Sequence, residues 1–141
     1  IRYPLSDLDK GEHTISLKAW DNYNNSSTSS IMFFVRDEEG LVLNKLINYP
    51  NPFTNSTSIS LEHNRPEKLI DITINIYNRS GKLIKTIESR DGSGGYRINP
   101  IVWDARDNNG SRVAAGIYIY SIIFRTDDNE TARISGRMII L

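Results

Sequence analysis

Between residues 69 and 77 isoleucine occupies every second position, as Ile70, Ile72, Ile74 and Ile76, with Asp71, Thr73 and Asn75 between them. A period of two sends alternate side chains to opposite faces of an extended chain, whereas a helix groups positions three and four apart. The stretch therefore reads as a strand with one apolar and one wet face, and the apolar face needs a second layer to cover it. Thr57, Ile59 and Leu61 alternate with Ser58, Ser60 and Glu62 in the same manner. Residues 116–126 are apolar on both faces, through Ile117, Tyr118, Ile119, Tyr120, Ile122, Ile123 and Phe124. That predicts a central strand covered on both sides, and helix finds little support anywhere.

Turn chemistry separates these runs. Asn78-Arg79-Ser80-Gly81 divides the isoleucine strand from residues 82–88, and Asp127-Asp128-Asn129-Glu130 divides the tyrosine-rich strand from residues 131–141; both read as tight antiparallel connections. With residues 41–47, 56–63 and a strand ending near Trp103, about seven short strands follow residue 40, as in an all-β, immunoglobulin-like antiparallel sandwich. Residues 1–40 read separately, as a two-stranded remnant of an upstream β domain. Its strands are 14–20 and 31–35, the polar stretch 21–30 joins them, and Arg36-Asp37-Glu38-Glu39-Gly40 forms a charged linker. The expected organisation is thus a hairpin plus linker over 1–40 and a sandwich over 41–141. Two strands are marginal alone, and their free edge could pair with a second copy to give a homodimer. Ile1 in place of an initiator methionine, with an extended approach over residues 1–8, suggests a larger parent chain.

Composition narrows the function classes. The 141 residues carry 17 Lys+Arg against 17 Asp+Glu and no cysteine. Balanced charge removes the usual electrostatic motive for nucleic-acid binding. Without cysteine, a disulfide framework, a thiolate metal site and a cysteine nucleophile are impossible within these residues. No apolar run reaches the ~20 residues of a membrane-spanning helix.

No catalytic constellation is legible. The two histidines, His13 and His63, have no second ligand at metal-binding spacing, and Gly92-Ser93-Gly94-Gly95 lacks the strand-to-helix setting of a nucleophile elbow. The expected catalytic, metal and cofactor sets are therefore empty. Asp104-Ala105-Arg106-Asp107-Asn108-Asn109-Gly110 is acidic enough to suggest calcium, but an EF-hand register would start on Ala105 and end on Gly116. A turn with Gly110 at positive φ and aspartates bonding the loop backbone is the better reading. Trp103, Tyr118 and Tyr120 could stack on sugars, so a carbohydrate-binding module is the alternative function, although their apolar setting favours core packing. Arg137-Met138-Ile139-Ile140-Leu141 closes the chain with four apolar residues, which calls either for burial in a final strand or for capture by a partner.

Five motifs in order carry a resemblance: Asn48-Tyr49-Pro50-Asn51-Pro52-Phe53; Ile76-Tyr77-Asn78 with Gly81-Lys82; Trp103-Asp104 with Asn108-Asn109-Gly110; Gly116-Ile117-Tyr118; and Arg137-Met138-Ile139-Ile140. Together they resemble the C-terminal sorting domain of the type IX (Por) secretion system of Bacteroidetes. Ala105 stands where that family commonly has glycine, and Arg137 where lysine is usual. A narrower likeness, to the PorU family of gingipain-like sortases, rests on Leu61-Glu62-His63-Asn64, Gly11-Glu12-His13-Thr14, Lys18-Ala19-Trp20-Asp21 and Asn24-Asn25-Ser26-Ser27. The resemblance implies a non-catalytic domain that directs its parent across the outer membrane and anchors it at the cell surface. It implies a parent cysteine peptidase whose catalytic residues lie upstream, and docking on a PorV-like outer-membrane shuttle protein alongside other type IX components. By position, the docking residues would be Gly116, Tyr118, Arg137, Met138, Ile139 and Ile140. Pro50, Asn51, Pro52, Trp103, Asp104 and Gly110 are expected to be structural, with the two prolines fixing an extended, ladder-poor approach to the sandwich.

Overall fold

A computed structural model describes residues 8–9, 11–35 and 40–141. Of the linker expected at residues 36–40 and the approach expected over residues 1–8, residues 36–39 and 1–7 lie outside the described residues. The chain divides into two units, Ile1–Glu39 and Gly40–Leu141.

In the first unit β1 (Gly11–Trp20) pairs antiparallel with β2 (Ser26–Val35), from Gly11 opposite Val35 to Trp20 opposite Ser26. The connecting loop is shorter than the polar stretch suggested, because residues 26–30 belong to β2. Apolar alternation reports burial, and this ribbon pairs its backbone without burying either face. Its second half is held by ladder bonds and by contacts such as Ser16 Oγ to Ser30 Oγ at 2.7 Å.

The second unit is a two-layer sandwich. Its strands are β3 (Leu43–Tyr49), β4 (Thr57–His63), β5 (Ile70–Tyr77), β6 (Leu83–Asp91), β7 (Ile101–Trp103), β8 (Gly116–Thr126) and β9 (Thr131–Ile140). One sheet has the order β3-β4-β7 and the other β6-β5-β8-β9, all antiparallel. The inward residues predicted from alternation form the core: Ile59 and Leu61 from β4 face Ile70, Ile72, Ile74 and Ile76 from β5. Trp103 sits among them, with its ring edge-on to Phe53 (6.0 Å) and to Tyr118 (5.7 Å).

β8 departs from expectation. It is internal to its sheet, between β5 and β9, but only one face is covered. Tyr118, Tyr120, Ile122 and Phe124 are buried, while Ile117 and Ile119 remain 42% and 43% exposed. Apolarity on both faces predicted two covering layers, and a two-layer sandwich supplies one.

One loop form occurs four times among the described residues, at residues 21–25, 78–82, 107–111 and 126–130. The first residue donates its N–H to the fifth carbonyl and receives the fourth N–H, all at 2.9–3.2 Å. The fourth residue, Asn24, Gly81, Gly110 or Asn129, has φ between 65° and 84°. The side-chain oxygen of Asp21, Asn78, Asp107 or Thr126 then accepts the fifth N–H at 2.9–3.0 Å. Asx and Ser/Thr side chains at the first position and Gly or Asn at the left-handed fourth are what this geometry favours.

Candidate functional site

The two terminal motifs of the sandwich meet. Between β3 and β4 the chain bends at Pro50, Asn51 and Pro52 and does not run extended as expected; both prolyl bonds are cis. The bend turns the Asn51 carboxamide onto the outer edge of β9. Asn51 Nδ2 donates to the Arg137 carbonyl (3.1 Å), and Ile139 N–H donates to Asn51 Oδ1 (3.0 Å). The side chain thus supplies the donor and acceptor that a neighbouring strand would. Phe53 continues the pairing, its N–H to the Ile139 carbonyl (3.0 Å) and its carbonyl receiving Leu141 N–H (2.9 Å).

A polar network holds the clamp in place. Thr57 Oγ1 donates to the Pro50 carbonyl (2.8 Å), Asn48 Nδ2 to Thr57 Oγ1 (3.3 Å), and Tyr120 Oη to Asn48 Oδ1 (3.2 Å). Burial pushes the Tyr120 phenol up to about 12, so it stays a donor at neutral pH. Its ring lies over Gly136, its partner in β9; a Cβ on Gly136 would meet ring atoms at 2.5 Å.

The opposite edge of the same sheet is capped by Asn108. Its N–H donates to the Ile84 carbonyl (3.1 Å) and its Oδ1 receives Thr86 N–H (3.1 Å). Both caps blunt edges that would otherwise be templates for strand pairing.

These contacts sort the expected docking residues. Tyr118, Met138 and Ile140 are buried in the core, Arg137 is exposed, and Gly116 and Ile139 are intermediate. Tyr118 Oη donates to the Ala114 carbonyl (2.8 Å), a tyrosine corner like those of immunoglobulin domains. An open cleft of about 580 Å³ lies beside Gly116 and Tyr118, lined also by Asn78, Arg79, Ala114 and Ala115. The outward neighbours on this face, Ile117 and Ile119, did not stand out in the sequence because apolarity on both faces of β8 read as full burial.

Other candidates resolve differently. Trp103 is buried and donates Nε1–H to the Arg106 carbonyl (2.9 Å). With Tyr118 and Tyr120 buried as well, the three rings expose no sugar-stacking platform. In the acidic loop, Asp107 Oδ1 receives Asn109 and Ser111 N–H groups (2.9 Å each), Gly110 takes the left-handed position, and Asp104 lies 3.7 Å from Arg106 Nε. Among the described residues no group of three or more His, Asp or Glu side chains comes together. His13 is half-buried and stacks on Phe33 at 5.7 Å. His63 is buried against Phe124 (5.0 Å) and its Nδ1 accepts Arg65 N–H (3.2 Å). Burial lowers the His63 pKa, and the charge of nearby Asp91 partly opposes this. Burial would raise Asp91, but N–H groups of Ser93 (2.8 Å) and Asn99 (2.6 Å) and the His63 charge hold it below its ordinary value.

Residues 48–128, over half of the chain, match the FlgD Ig-like domain family. The chain belongs to that family. The crystal structure of dimeric latent PorU from Porphyromonas gingivalis is similar over 95% of this chain, with 27% identity and a TM-score of 0.65. The match spans 12% of that PorU chain. Domains d3-d4 of the rat CD45 extracellular region align over 96% of this chain and 70% of theirs, but 16% identity and a TM-score of 0.33 carry no argument. No curated protein sequence matches the chain.

Proposed function

We propose that the chain is a non-catalytic secretion and anchoring domain of the type IX system, belonging to a PorU-like parent whose peptidase residues lie elsewhere. The observation that carries this reading is the likeness to PorU, which takes in both the ribbon and the sandwich, 95% of this chain. The FlgD Ig-like membership agrees with it. In this reading the domain directs its parent across the outer membrane and docks it on a PorV-like shuttle at the cell surface.

Burial of Tyr118, Met138 and Ile140 assigns those side chains to folding. Docking then falls to what the β8–β9 end leaves outside: Ile117, Ile119, Arg137 and Ile139. Deleting the last strands would unfold the core, so the informative variants are outward ones. Ile119→Glu combined with Arg137→Glu in the full parent should leave the circular-dichroism spectrum unchanged and remove the parent from the cell surface, read by surface immunolabelling. Normal labelling of a folded double variant would refute the docking assignment. The PorU of that crystal structure is dimeric, and the ribbon, with Leu17, Ile31 and Phe34 exposed, is the proposed homodimer contact. Sedimentation of Leu17→Lys against the unchanged chain checks it, with weaker self-association expected.

A further inference from the structure

The asparagine caps stop short of the first half of β9. Antiparallel pairing with β8 leaves the N–H and C=O groups of odd-numbered β9 residues pointing away from the sheet; those of Arg137 and Ile139 are the ones met by Asn51 and Phe53. Thr131, Arg133 and Ser135 project their backbone groups the same way, and no described residue bonds to them. Their side chains are exposed, while Ala132 and Ile134 between them are half-buried. On β6 the uncapped remainder, Glu88 and Arg90, bears opposite charges that blunt pairing, with Arg90 tied to Asp71 at 2.7 Å.

On the surface beside the β9 edge the basic residues of β8 and β9 dominate, although Asp71 of β5 lies opposite Arg125 and feels its charge. Arg125, Arg133 and Arg137 all point from the outer face of β8 and β9, and none has an ion-pair partner among the described residues. No acidic residue of β8 or β9 accompanies them. Ser121, in the middle of this face opposite Ser135, has a buried hydroxyl without a hydrogen-bond partner.

We infer that residues 131–135 of β9 are a strand-addition site for an extended segment in which acidic and apolar residues alternate. Main-chain bonds to Thr131, Arg133 and Ser135 hold the segment in register. Its carboxylates lie on the outer face toward Arg133, and its apolar residues continue the half-buried row of Ala132 and Ile134. Alternate side chains on opposite faces are inherent in strand addition, and guanidinium groups match carboxylates through paired N–H donors. An anionic bilayer fits less well. Ile117 and Ile119 lie on a strand paired on both sides, without the amphipathic helix that inserts ~5–10 Å into a membrane interface.

The test uses the 141-residue chain, nitrogen-15 labelled, with a short synthetic peptide alternating glutamate and valine. A lysine–valine peptide and phosphatidylglycerol vesicles are the other two probes. Amide shifts and slowed exchange at Thr131, Arg133 and Ser135 with the acidic peptide alone are expected. Arg133→Glu should weaken binding about tenfold or more at low salt, with the difference narrowing as salt rises. Ser135→Pro removes one outward N–H at an edge position where proline is tolerated, so it should keep the fold and lose the peptide. Equal binding of the lysine peptide, vesicle binding centred on Ile117 and Ile119, unchanged affinity in Ser135→Pro, or no shift at millimolar peptide would each overturn the inference.

Discussion

Gly136 is required by its neighbour and not by its own backbone. The Tyr120 ring occupies the space a Cβ would take, at 2.5 Å. Gly136→Ala must displace a buried ring that also donates to Asn48, and overpacking of this kind costs about 1–3 kcal/mol. Urea denaturation of the variant should show a lower midpoint with an unchanged slope. His63 supplies a pH dependence of known sign. Its folded pKa lies below the ordinary 6.5, so from about that pH downward the unfolded chain binds a proton that the folded chain resists. Stability is complete above 6.5 and falls as the pH drops toward the folded value. Urea midpoints measured across that window should decline for the unchanged chain and stay flatter for His63→Gln. Neither effect is legible in the sequence. Gly136 is one small residue in a strand, and nothing next to His63 in the sequence signals its burial, which arises from contacts distant along the chain.

At the scale of elements, alternation told which face of β4 and β5 is buried, because burial and period two have the same cause. It told less where the two separate. The polar half of β2 pairs without burial, and β8 is apolar where nothing covers it. The edge caps were visible as motif residues but not as caps. Asn51 reaches β9 across 86 and 88 positions, and no local pattern encodes such a contact. Removing it tests the idea: Asn51→Ala leaves the Arg137 carbonyl and the Ile139 N–H to water, and losing two such bonds costs about 1–3 kcal/mol. Faster amide exchange at Ile139, with little change in β5, is the accompanying signature. The recurring loop was better encoded, since its requirements are local. Gly110→Ala places a Cβ at φ 83° and should destabilise by about 1–2 kcal/mol. Asn129→Gly, at φ 67°, relieves a smaller strain and should be close to neutral. Thermal melting of the two variants distinguishes them.

For the molecule as a whole, the sandwich unit Gly40–Leu141 contains its own core. Expressed without the ribbon, it should melt at the temperature of the sandwich transition in the full chain. The motifs that resemble a sorting domain prove to be largely a folding apparatus: Trp103, Tyr118, Met138 and Ile140 fill the core, while Asn51 and Asn108 close the sheet edges. Function in the proposed reading therefore rests on the outward residues of the same strands and on the folded unit as an address. The most direct measurement is surface display of a periplasmic reporter carrying residues 40–141 at its C-terminus, compared between Bacteroidetes cells with and without a working type IX translocon. The account predicts a surface-exposed, protease-accessible reporter only where the translocon works. Equal periplasmic retention in both strains would contradict it.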